Sequence, residues 1–580
     1  MNITWRRCMA HGSSKSRRAA CGACPIVRRA PCERQLYAVT TIAYGSLSAT
    51  TAWDLRGRVA VWTRTKYAAL ALATALALIF RVSALATYGL SEDEINKVHA
   101  IDEYRAGRFG ANAEHPMLMK LAMWASVDAS RAWNARVPDE SAIPFETALR
   151  LPNAIAGAAA TPALFGIADL LFGGAVASAV AFIWALDVNA IAINRIGKED
   201  TFLLLFFLVA VFCYERAKRQ FVGDPEGAQR WYTLSGAAFG LMLASKYMPH
   251  LLGFYALFNL LVPAEPLANK PDRLRHYAAM AAAFAAANVA ILMPSTWRYA
   301  TAYVGGGMLV HHGYPYAGAL YLTNIPISPL GVPPVYYLRL IGTKVPLVLL
   351  AAVIPGVIEM ARRHRERGFV LLRVLIVFLL VPYSLMAAKF LRYALPMLAT
   401  LDLIAAVGLV SAIAWLLRKG WLSPLTRVTV SALAIGVFVA GIVRAQEIAA
   451  PFYSLYQNAA GARLDAPGSV FPEEAYDYGV REAVAAIVNS AVPGAVVVSD
   501  ASLGVAHYLS DAGRPDVAVA ALSSDGIPTH AAETWVIVQD EHITFENALV
   551  VDGLRAREQP WAQFRAHGAV TAQVFRLVRN

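Results

Sequence analysis

Long apolar runs recur along this chain and restrict its possible folds more than any other feature. Each run approaches the roughly 20 residues that a helix needs to cross the hydrocarbon core of a bilayer. Charged residues make up only 16% of the 580 positions and hydrophobic residues 57%, whereas ordinary soluble domains carry about 25% charged residues. The pattern predicts a mainly α, polytopic membrane protein with about 11 transmembrane helices. The expected spans are 67–88, 147–172, 174–194, 201–217, 231–245, 247–263, 276–294, 336–360, 369–386, 393–417 and 427–446.

The first 66 residues are strongly basic. They contain 12 Lys and Arg residues against only Glu33 and Asp54, which accounts for +10 of the net charge of +12. Because the remainder is nearly neutral, the charge does not indicate a nucleic-acid partner. The segment is typical of a disordered cytoplasmic tail, or of a start codon assigned too far upstream. It has no apolar h-region and does not resemble a cleavable signal peptide.

Four of the five cysteines lie in this basic tail, and two of them, Cys21 and Cys24, have the spacing of a zinc half-site. No second suitably spaced pair follows, so a disordered tail is favoured over a metal site. The fifth, Cys213, lies in an apolar run, where packing is the simplest explanation. The segments expected outside the membrane contain no cysteine, and no disulfide framework is expected.

Lys and Arg residues are distributed unevenly between the loops, and this predicts the orientation. If the basic N-terminus is inside, the loops 215–220, 270–276, 361–368 and 418–427 are also inside, and all four are basic. The very short turn at 172–174, expected on the same side, carries no charge and is the one exception. The opposite side then receives 89–146, the turn from Arg195 to Asp200, the break near Lys246, the loop 295–335, the segment 387–393 and everything after 446.

The chain after residue 446 changes character. Short apolar runs at 494–500 and 534–540 are typical of buried strands, and they alternate with helical patterns. Residues 447–580 are therefore expected to form a small C-terminal α/β extracytoplasmic domain. Residues 67–446 form the expected transmembrane domain and 1–66 the tail.

Ionisable residues cluster at the outer membrane boundary. Acids occur in "SEDE" (91–94) and in "NRIGKED" (194–200), and cations occur at Lys246, Lys389 and Arg392. Asp200 could simply be stabilised by the dipole of the helix that it begins. Lys389 and Arg392 could snorkel to the membrane surface from a helix end. However, charges at membrane depth are costly and usually functional. Together the acids and cations suit a reaction in which a hydroxyl is deprotonated and a lipid phosphate leaves.

Several stretches on this side, in their order along the chain, resemble the GT-C superfamily of integral-membrane glycosyltransferases. The nearest resemblance is to the dolichyl-phosphate-mannose protein mannosyltransferase family and its bacterial members. It covers roughly residues 67–500 and rests on the order of the pieces rather than on one specific motif. The matching pieces are "SEDEINKVHAIDEYRAGRFGANAEHPMLMKL", "NRIGKEDTFLLLF", "ASKYMPHLL", "HHGYPYAG", "KFLRYALP" and the segment 451–487.

The resemblance implies transfer of a sugar from a polyprenyl-phosphate carrier to a hydroxyl acceptor on the outer face of the inner or plasma membrane. It makes Asp93 the general base, Glu94 a residue that orients the acceptor, and Asp200, with Arg195 before it, the second acidic position. Glu199 is a neighbour that could be confused with Asp200. The residues implied for substrate binding are Arg195, Glu199, His115, Lys246, Lys389, Arg392, and His311 and His312, for which a plain loop role is equally open.

The implied mechanism is inverting and needs no protonating acid, because a lipid phosphate leaves as a weakly basic anion. No cofactor is required; a divalent metal at Asp93 and Asp200 is neither required nor excluded. Unlike eukaryotic protein mannosyltransferases, the chain shows no extra soluble domain between its central helices. The sugar and the acceptor (protein, lipid or cell-envelope glycan) therefore stay open.

Two other classes remain as alternatives. A transporter or lipid-carrier-binding protein without transferase activity would use the same charges as an ion path. It predicts charges near mid-membrane on facing helices, whereas the charges here lie at one boundary. A structural subunit with a vestigial site is disfavoured by the retained Asp93, Asp200 and Arg392.

Overall fold

The computed structural model describes residues 49–221, 223–261, 272–304, 313–322, 330–523, 526–528, 531 and 533–578. The chain divides into two units, residues 1–64 and 65–580, and the second unit is the subject below. Most of the expected basic tail, with four of its cysteines, lies outside the described residues.

Helices dominate the described chain from its start to residue 449. In chain order they are α1 (Ala49–Val82), α2 (Glu92–Arg105), α3 (Leu118–Asn134), α4 (Phe145–Leu171), α5 (Gly174–Ala185), α6 (Val188–Asn194), α7 (Asp200–Gln220), α8 (Pro225–Ser245), α9 (Phe254–Leu261), α10 (Arg273–Ala287), α11 (Pro294–Val304), α12 (Tyr336–Lys344), α13 (Leu347–Arg362), α14 (Arg367–Leu385), α15 (Leu395–Leu417) and α16 (Pro424–Ala449). A short hairpin, β1 (Tyr314–Tyr316) and β2 (Ala319–Tyr321), lies between α11 and α12.

Five helices in the described residues are long and apolar enough to cross a membrane, and two bent helix pairs raise the number to seven. They coincide with seven of the expected spans, namely 67–88, 147–172, 174–194, 336–360, 369–386, 393–417 and 427–446. The expected spans 201–217, 231–245, 247–263 and 276–294 do not pass this test of length and composition. The chain is therefore a multi-pass membrane protein, and the count of eleven stays a prediction.

Two expected spans are bent rather than straight. The axes of α5 and α6 differ by 59°, and those of α12 and α13 by 117°. Asp187 begins a new helix at the first bend, because its carboxylate accepts the backbone N–H groups of Asn189 at 2.8 Å and Ala190 at 3.3 Å. Pro346 follows α12 at the second bend and has no backbone N–H to continue that helix.

Small residues allow α13 and α15 to lie close together. A Cβ atom added at Gly408 would lie 1.9 Å from the carbonyl oxygen of Ala352, and one at Gly356 would lie 2.2 Å from that of Ile404. Glycines at such contacts are typical of helix packing in membranes, where close approach strengthens dispersion contacts. Helix α15 begins directly after the segment that contains Lys389 and Arg392.

The chain after α16 contains a small α/β domain, as the alternating pattern predicts. Its helices are α17 (Gly461–Leu464) in the connecting segment, and α18 (Val480–Val488), α19 (Ser502–Asp511) and α20 (Ala548–Arg557). Its strands are β3 (Val496–Val498), β4 (Ala518–Ala520), β5 (Glu533–Val538), β6 (Ala562–Ala566) and β7 (Ala569–Val578). The sheet order is β4-β3-β5-β7-β6, with β3 parallel to both β4 and β5 and the remaining pairs antiparallel.

Candidate active site

Helix α2 presents carboxylates in its first turn. The backbone N–H of Glu94 donates to the side chain of Ser91, and the backbone N–H of Ser91 donates to the Glu94 carboxylate at 3.0 Å. This capping box begins the helix at Glu92. Because successive helical residues point about 100° apart, Asp93 and Glu94 face different surroundings.

Glu94 points into the protein. Its carboxylate accepts hydrogen bonds from Arg150 Nε at 2.8 Å and Nη2 at 2.6 Å, and from the backbone N–H of Gly197 at 2.8 Å. Both charged side chains are fully buried. Burial alone would raise the pKa of Glu94, but the charge of Arg150 and these hydrogen bonds lower it. Glu94 therefore connects α2 to α4 and to the turn before α7.

A cavity of about 500 Å³ opens beside the first turn of α2. Its walls come from α2, the β1–β2 hairpin, the segment between α14 and α15, the connecting segment after α16 and the α/β domain. The charged residues that line it are Glu92, Asp93, Lys389, Arg392, Glu473, Asp477, Asp500, Glu541, His542 and Glu546.

Asp93 faces this cavity, with 45% of its side chain exposed. Its carboxylate is paired with the ammonium of Lys198, which is itself buried. Burial would raise the pKa of Asp93, but the charges of Lys198, Arg392 and Lys97 outweigh it and hold the pKa well below its usual range. An ionised carboxylate and the guanidinium of Arg392 thus line one cavity.

The turn at residues 195–200 carries three consecutive charged side chains, each paired with a charge from another element. The pairs are Lys198 with Asp93, Glu199 with Lys97 at 2.9 Å, and Asp200 with Lys246 at 2.7 Å. Buried charges are tolerated only when they are paired, since removing one partner leaves the other uncompensated. The three pairs therefore hold α2, α7 and the end of α8 together beside the cavity.

Arg392 and Lys389 supply positive charge to the cavity wall. Arg392 Nε lies 3.8 Å from Asp200 Oδ2 and has no hydrogen-bond acceptor among the described residues. The Lys389 ammonium donates to the carbonyl oxygens of Val332 and Met386. Burial lowers the pKa of Lys389 to about 8.

Other residues predicted for the site lie away from the cavity lining. Arg195 donates to the carbonyl oxygens of Phe80 at 3.0 Å and Ala84 at 2.8 Å, at the end of α1. His115 Nδ1 lies 3.8 Å from Glu199 Oε1, and burial lowers the pKa of this histidine to about 3. His311 and His312 lie outside the described residues.

A metal held by Asp93 and Asp200 does not fit the side chains around them. Each carboxylate is paired with a lysine, and Arg392 lies beside Asp200. Among the described residues, neither acid belongs to a group of three or more side chains able to ligate one ion. Lysine and arginine therefore supply the positive charge at this end of the cavity.

Aromatic rings form a second wall. Ring centroids are 5.6 Å apart for Tyr314 and Phe390, 5.2 Å for Tyr316 and Tyr336, and 5.0 Å for Tyr336 and Phe471. A cavity that combines apolar rings with a few convergent charges is typical of a ligand site.

Acidic side chains form a third part of the cavity lining, here called the acidic wall. Asp500 follows β3, and Glu541 and His542 follow β5, so the carboxyl ends of two adjacent parallel strands open onto the cavity. Burial raises the pKa of Asp500 to about 6 and that of Glu92 to about 7. The sequence did not predict this wall, because its residues come from distant segments with no motif spacing. Lys198, by contrast, lies within the stretch 194–200, which the sequence analysis identified by its acidic residues.

The apolar spans define the class as a multi-pass membrane protein, and the similar fold of the solved structure described below makes the fold one of the GT-C type. Residues 145–293 match the family model described as dolichyl-phosphate-mannose-protein mannosyltransferase. The resemblance that the sequence indicates is thereby confirmed.

Solved structures with a similar fold include ArnT from Cupriavidus metallidurans bound to undecaprenyl phosphate. It is 14% identical with a TM-score of 0.50, and the match covers 87% of this chain and 97% of that one. The apo form of ArnT matches at 13% identity and a TM-score of 0.48, over 91% and 98% of the two chains. The Archaeoglobus fulgidus oligosaccharyltransferase matches at 11% and 0.47, over 78% and 64%. The bound ArnT structure supports the fold alone, and no curated protein matches the sequence.

Proposed function

We propose that this protein is a membrane glycosyltransferase that moves a sugar from a polyprenyl-phosphate carrier to a hydroxyl acceptor, with inversion at the sugar carbon. The observation that carries the proposal is the cavity that both Asp93 and Arg392 line. The family match over 145–293 and the undecaprenyl phosphate bound to ArnT support a lipid-linked donor. The reaction takes place on the outer face of the cell membrane, since the basic loops face the cytoplasm.

The carrier phosphate binds to the cations at the membrane boundary. Arg392 offers a planar set of donors that suits phosphate oxygens, and Lys389 offers a point charge. Asp200 holds Lys246 at 2.7 Å and lies 3.8 Å from Arg392. We assign Asp200 the role of positioning these two cations rather than contacting the sugar.

In the transfer step, Asp93 removes the proton of the acceptor hydroxyl while the hydroxyl oxygen attacks the anomeric carbon. The bond between that carbon and the phosphate oxygen breaks, and its electron pair stays on the lipid phosphate. Arg392 and its neighbours stabilise the charge that develops there, so no acid has to protonate the leaving group. The proton ends on Asp93 and returns to water after the products leave.

The low pKa of Asp93 makes it a weak base before the donor binds. A phosphate that shares Lys198 and Arg392 weakens their attraction to the carboxylate. The pKa of Asp93 then rises towards the value that proton transfer requires. Donor binding would thus activate Asp93 as a base. Proton transfer is then limited to the site that holds the donor.

The test is the variant Asp93→Asn in purified protein reconstituted with lipid-linked sugars. We expect transfer to fall by about 10²–10⁴-fold, the usual contribution of a general base. The melting temperature should fall only moderately, because the Asn amide oxygen can still accept a hydrogen bond from the buried Lys198 ammonium. Mass spectrometry of the lipid carrier and acceptor measures the transfer.

Asp102→Asn is the matched control, because Asp102 is an exposed acid on the same helix whose described ion pair is with Arg105. Full transfer by Asp93→Asn would remove Asp93 as the base. Carrier movement across the bilayer without any sugar transfer by the wild-type protein would favour the transporter alternative.

A further inference from the structure

A second group of side chains able to ligate an ion lies where the α/β domain meets α2. It consists of Asp477 from the connecting segment and of Glu541 and His542 after β5, and their ligand atoms all lie within 4.8 Å of one another. His542 Nε2 lies 2.5 Å from Asp477 Oδ1. The backbone N–H of Asp477 donates to Glu541 Oε1 at 2.7 Å.

Acidic side chains around these residues outnumber basic ones. Glu92 and Asp500 line the same cavity beside Asp477 and Glu541, and His542 is the only cationic side chain that the α/β domain contributes to the described lining. Asp477 is buried, with 5% of its surface exposed. Burying several carboxylates around one imidazole is costly unless a further cation joins them.

Gln539 gives an independent indication of a cation. Only 5% of this residue is exposed to solvent. Its side-chain Oε1 atom has no hydrogen-bond donor among the described residues. The same carboxamide lies beside the cluster, with Nε2 3.4 Å from Glu541 Oε1. A buried amide oxygen without a donor is costly. Since the oxygen and nitrogen of a carboxamide exchange places when it turns by 180°, this oxygen can face the cluster and a bound cation in place of Nε2.

The backbone around Asp477 is held in an unusual conformation. Tyr476 and Asp477 are consecutive residues with φ of 42° and 59°. Residues other than glycine seldom adopt this left-handed region, and such strain persists only where the surroundings enforce it. The conformation places the Asp477 carboxylate against His542 and against the backbone N–H of Glu92, which donates to Asp477 Oδ2 at 2.6 Å.

We propose that Asp477, Glu541 and His542 bind one divalent transition-metal ion of the Zn²⁺ type. One imidazole nitrogen with two carboxylates is a donor set that suits Zn²⁺ or Mn²⁺ better than Ca²⁺ or Mg²⁺. Ligand atoms around a shared zinc lie about 3.3 Å apart, so His542 and Asp477 separate slightly when the ion replaces the imidazole proton. The ion joins the α/β domain to Asp477 of the connecting segment, which in turn accepts the backbone N–H of Glu92 at the start of the helix that carries Asp93.

The experiment measures metal content and thermal unfolding of the full chain in lipid nanodiscs after treatment with EDTA. We expect added Zn²⁺ to bind at roughly one ion per chain and to raise the melting temperature, since a ligand that binds only the folded state stabilises it. His542→Gln and Glu541→Gln should each weaken binding by about tenfold or more. Mg²⁺ at the same concentration should produce no comparable shift.

Asp540→Asn is the matched control, because Asp540 is the neighbouring exposed acid whose described ion pair is with Arg555 on the surface of the domain. It should retain the zinc. If the cluster variants do not fold, the wild-type protein tests the proposal instead. Co²⁺ bound in place of zinc should give an absorption spectrum typical of cobalt with nitrogen and oxygen ligands. Less than stoichiometric zinc in the wild type, or unchanged affinity in both cluster variants, would overturn the proposal.

Discussion

Lys198 is the residue that couples the candidate base to the surrounding charges. It lies in the turn before α7, pairs with Asp93, and is surrounded by Glu199, Lys97 and Arg392. Burial lowers the pKa of Lys198 to about 8, and the positive charge of Arg392 acts in the same direction, while Asp93 opposes it. Its charge is therefore present at neutral pH and lost within a mildly alkaline range.

This pKa predicts the pH dependence of transfer. As pH rises through about 8, Lys198 loses its proton, the positive charge behind Asp93 and beside Arg392 decreases, and the rate should fall because the lipid phosphate is stabilised less. Lys198→Arg should move this fall to higher pH, because a guanidinium stays charged across the accessible range. The measurement is the pH profile of transfer at saturating donor.

The pKa of Lys389 is also lowered to about 8, so Lys389→Arg is the comparison variant. An alkaline fall that moves with Lys389→Arg and not with Lys198→Arg would assign the effect to Lys389. A fall that moves with neither variant would contradict both assignments.

Single residues also show how far sequence can predict a site. The acids at 91–94 and 195–200 were predicted to act together because boundary charges on one side of a membrane are rare and costly, and the structure pairs the two segments through Asp93 and Lys198. The pattern of acids alone could not separate Asp93 from Glu94, and only the family resemblance assigned them different roles. One residue of helix rotation decides which carboxylate meets Arg150 and which meets the cavity. The pair of Asp477 and His542 depends on a contact across 65 positions, for which one sequence contains no signal.

At the scale of elements, the contact between α13 and α15 makes a stability prediction. Gly408→Ala adds a Cβ only 1.9 Å from the Ala352 carbonyl oxygen and 2.6 Å from the Gly356 nitrogen. Backbone atoms must move to accept it. Overpacking costs typically 1–3 kcal/mol, which exceeds the gain of about 1 kcal/mol in helix propensity. We expect a lower melting temperature in nanodiscs.

Gly436→Ala is the control for this substitution. Gly436 lies in α16 and a Cβ there would meet no atom within 4 Å. It should keep or raise the melting temperature, because only the propensity gain applies. Equal melting temperatures for Gly408→Ala and the wild type would show that the two helices are not held this close.

Helices were predicted best where the length of an apolar run alone determines them. Spans such as 393–417 coincide with α15, whereas 336–360 is broken at Pro346 because a proline after a helix cannot donate the next hydrogen bond. The strand positions at 494–500 and 534–540 were predicted as well, since short apolar runs between polar turns fit buried parallel strands. The order of strands in the sheet depends on long-range pairing and was not predicted.

At the scale of the whole molecule, the α/β domain is connected to the segment that leads into α2. Arg481 on α18 donates to the carbonyl oxygens of Ala86 at 3.0 Å and Thr87 at 2.9 Å, and to the Glu146 carboxylate at 3.0 Å. The backbone N–H of Leu90 donates to the Tyr508 hydroxyl at 2.5 Å. The domain thus supports the turn that places Asp93 in the cavity.

Arg481→Met tests this support, because it keeps the apolar stem and removes every donor. Hydrogen bonds to charged groups contribute about 1.5–3 kcal/mol each, so amide hydrogen exchange across residues 85–95 should become faster. Transfer should fall severalfold through the maximal rate rather than through donor affinity, since no residue of the proposed phosphate site is changed. Arg565→Met, an exposed arginine on β6 of the same domain, should leave both measurements at wild-type values. Faster transfer, or unchanged exchange at 85–95 in Arg481→Met, would show that the position of α2 is fixed by the transmembrane helices alone.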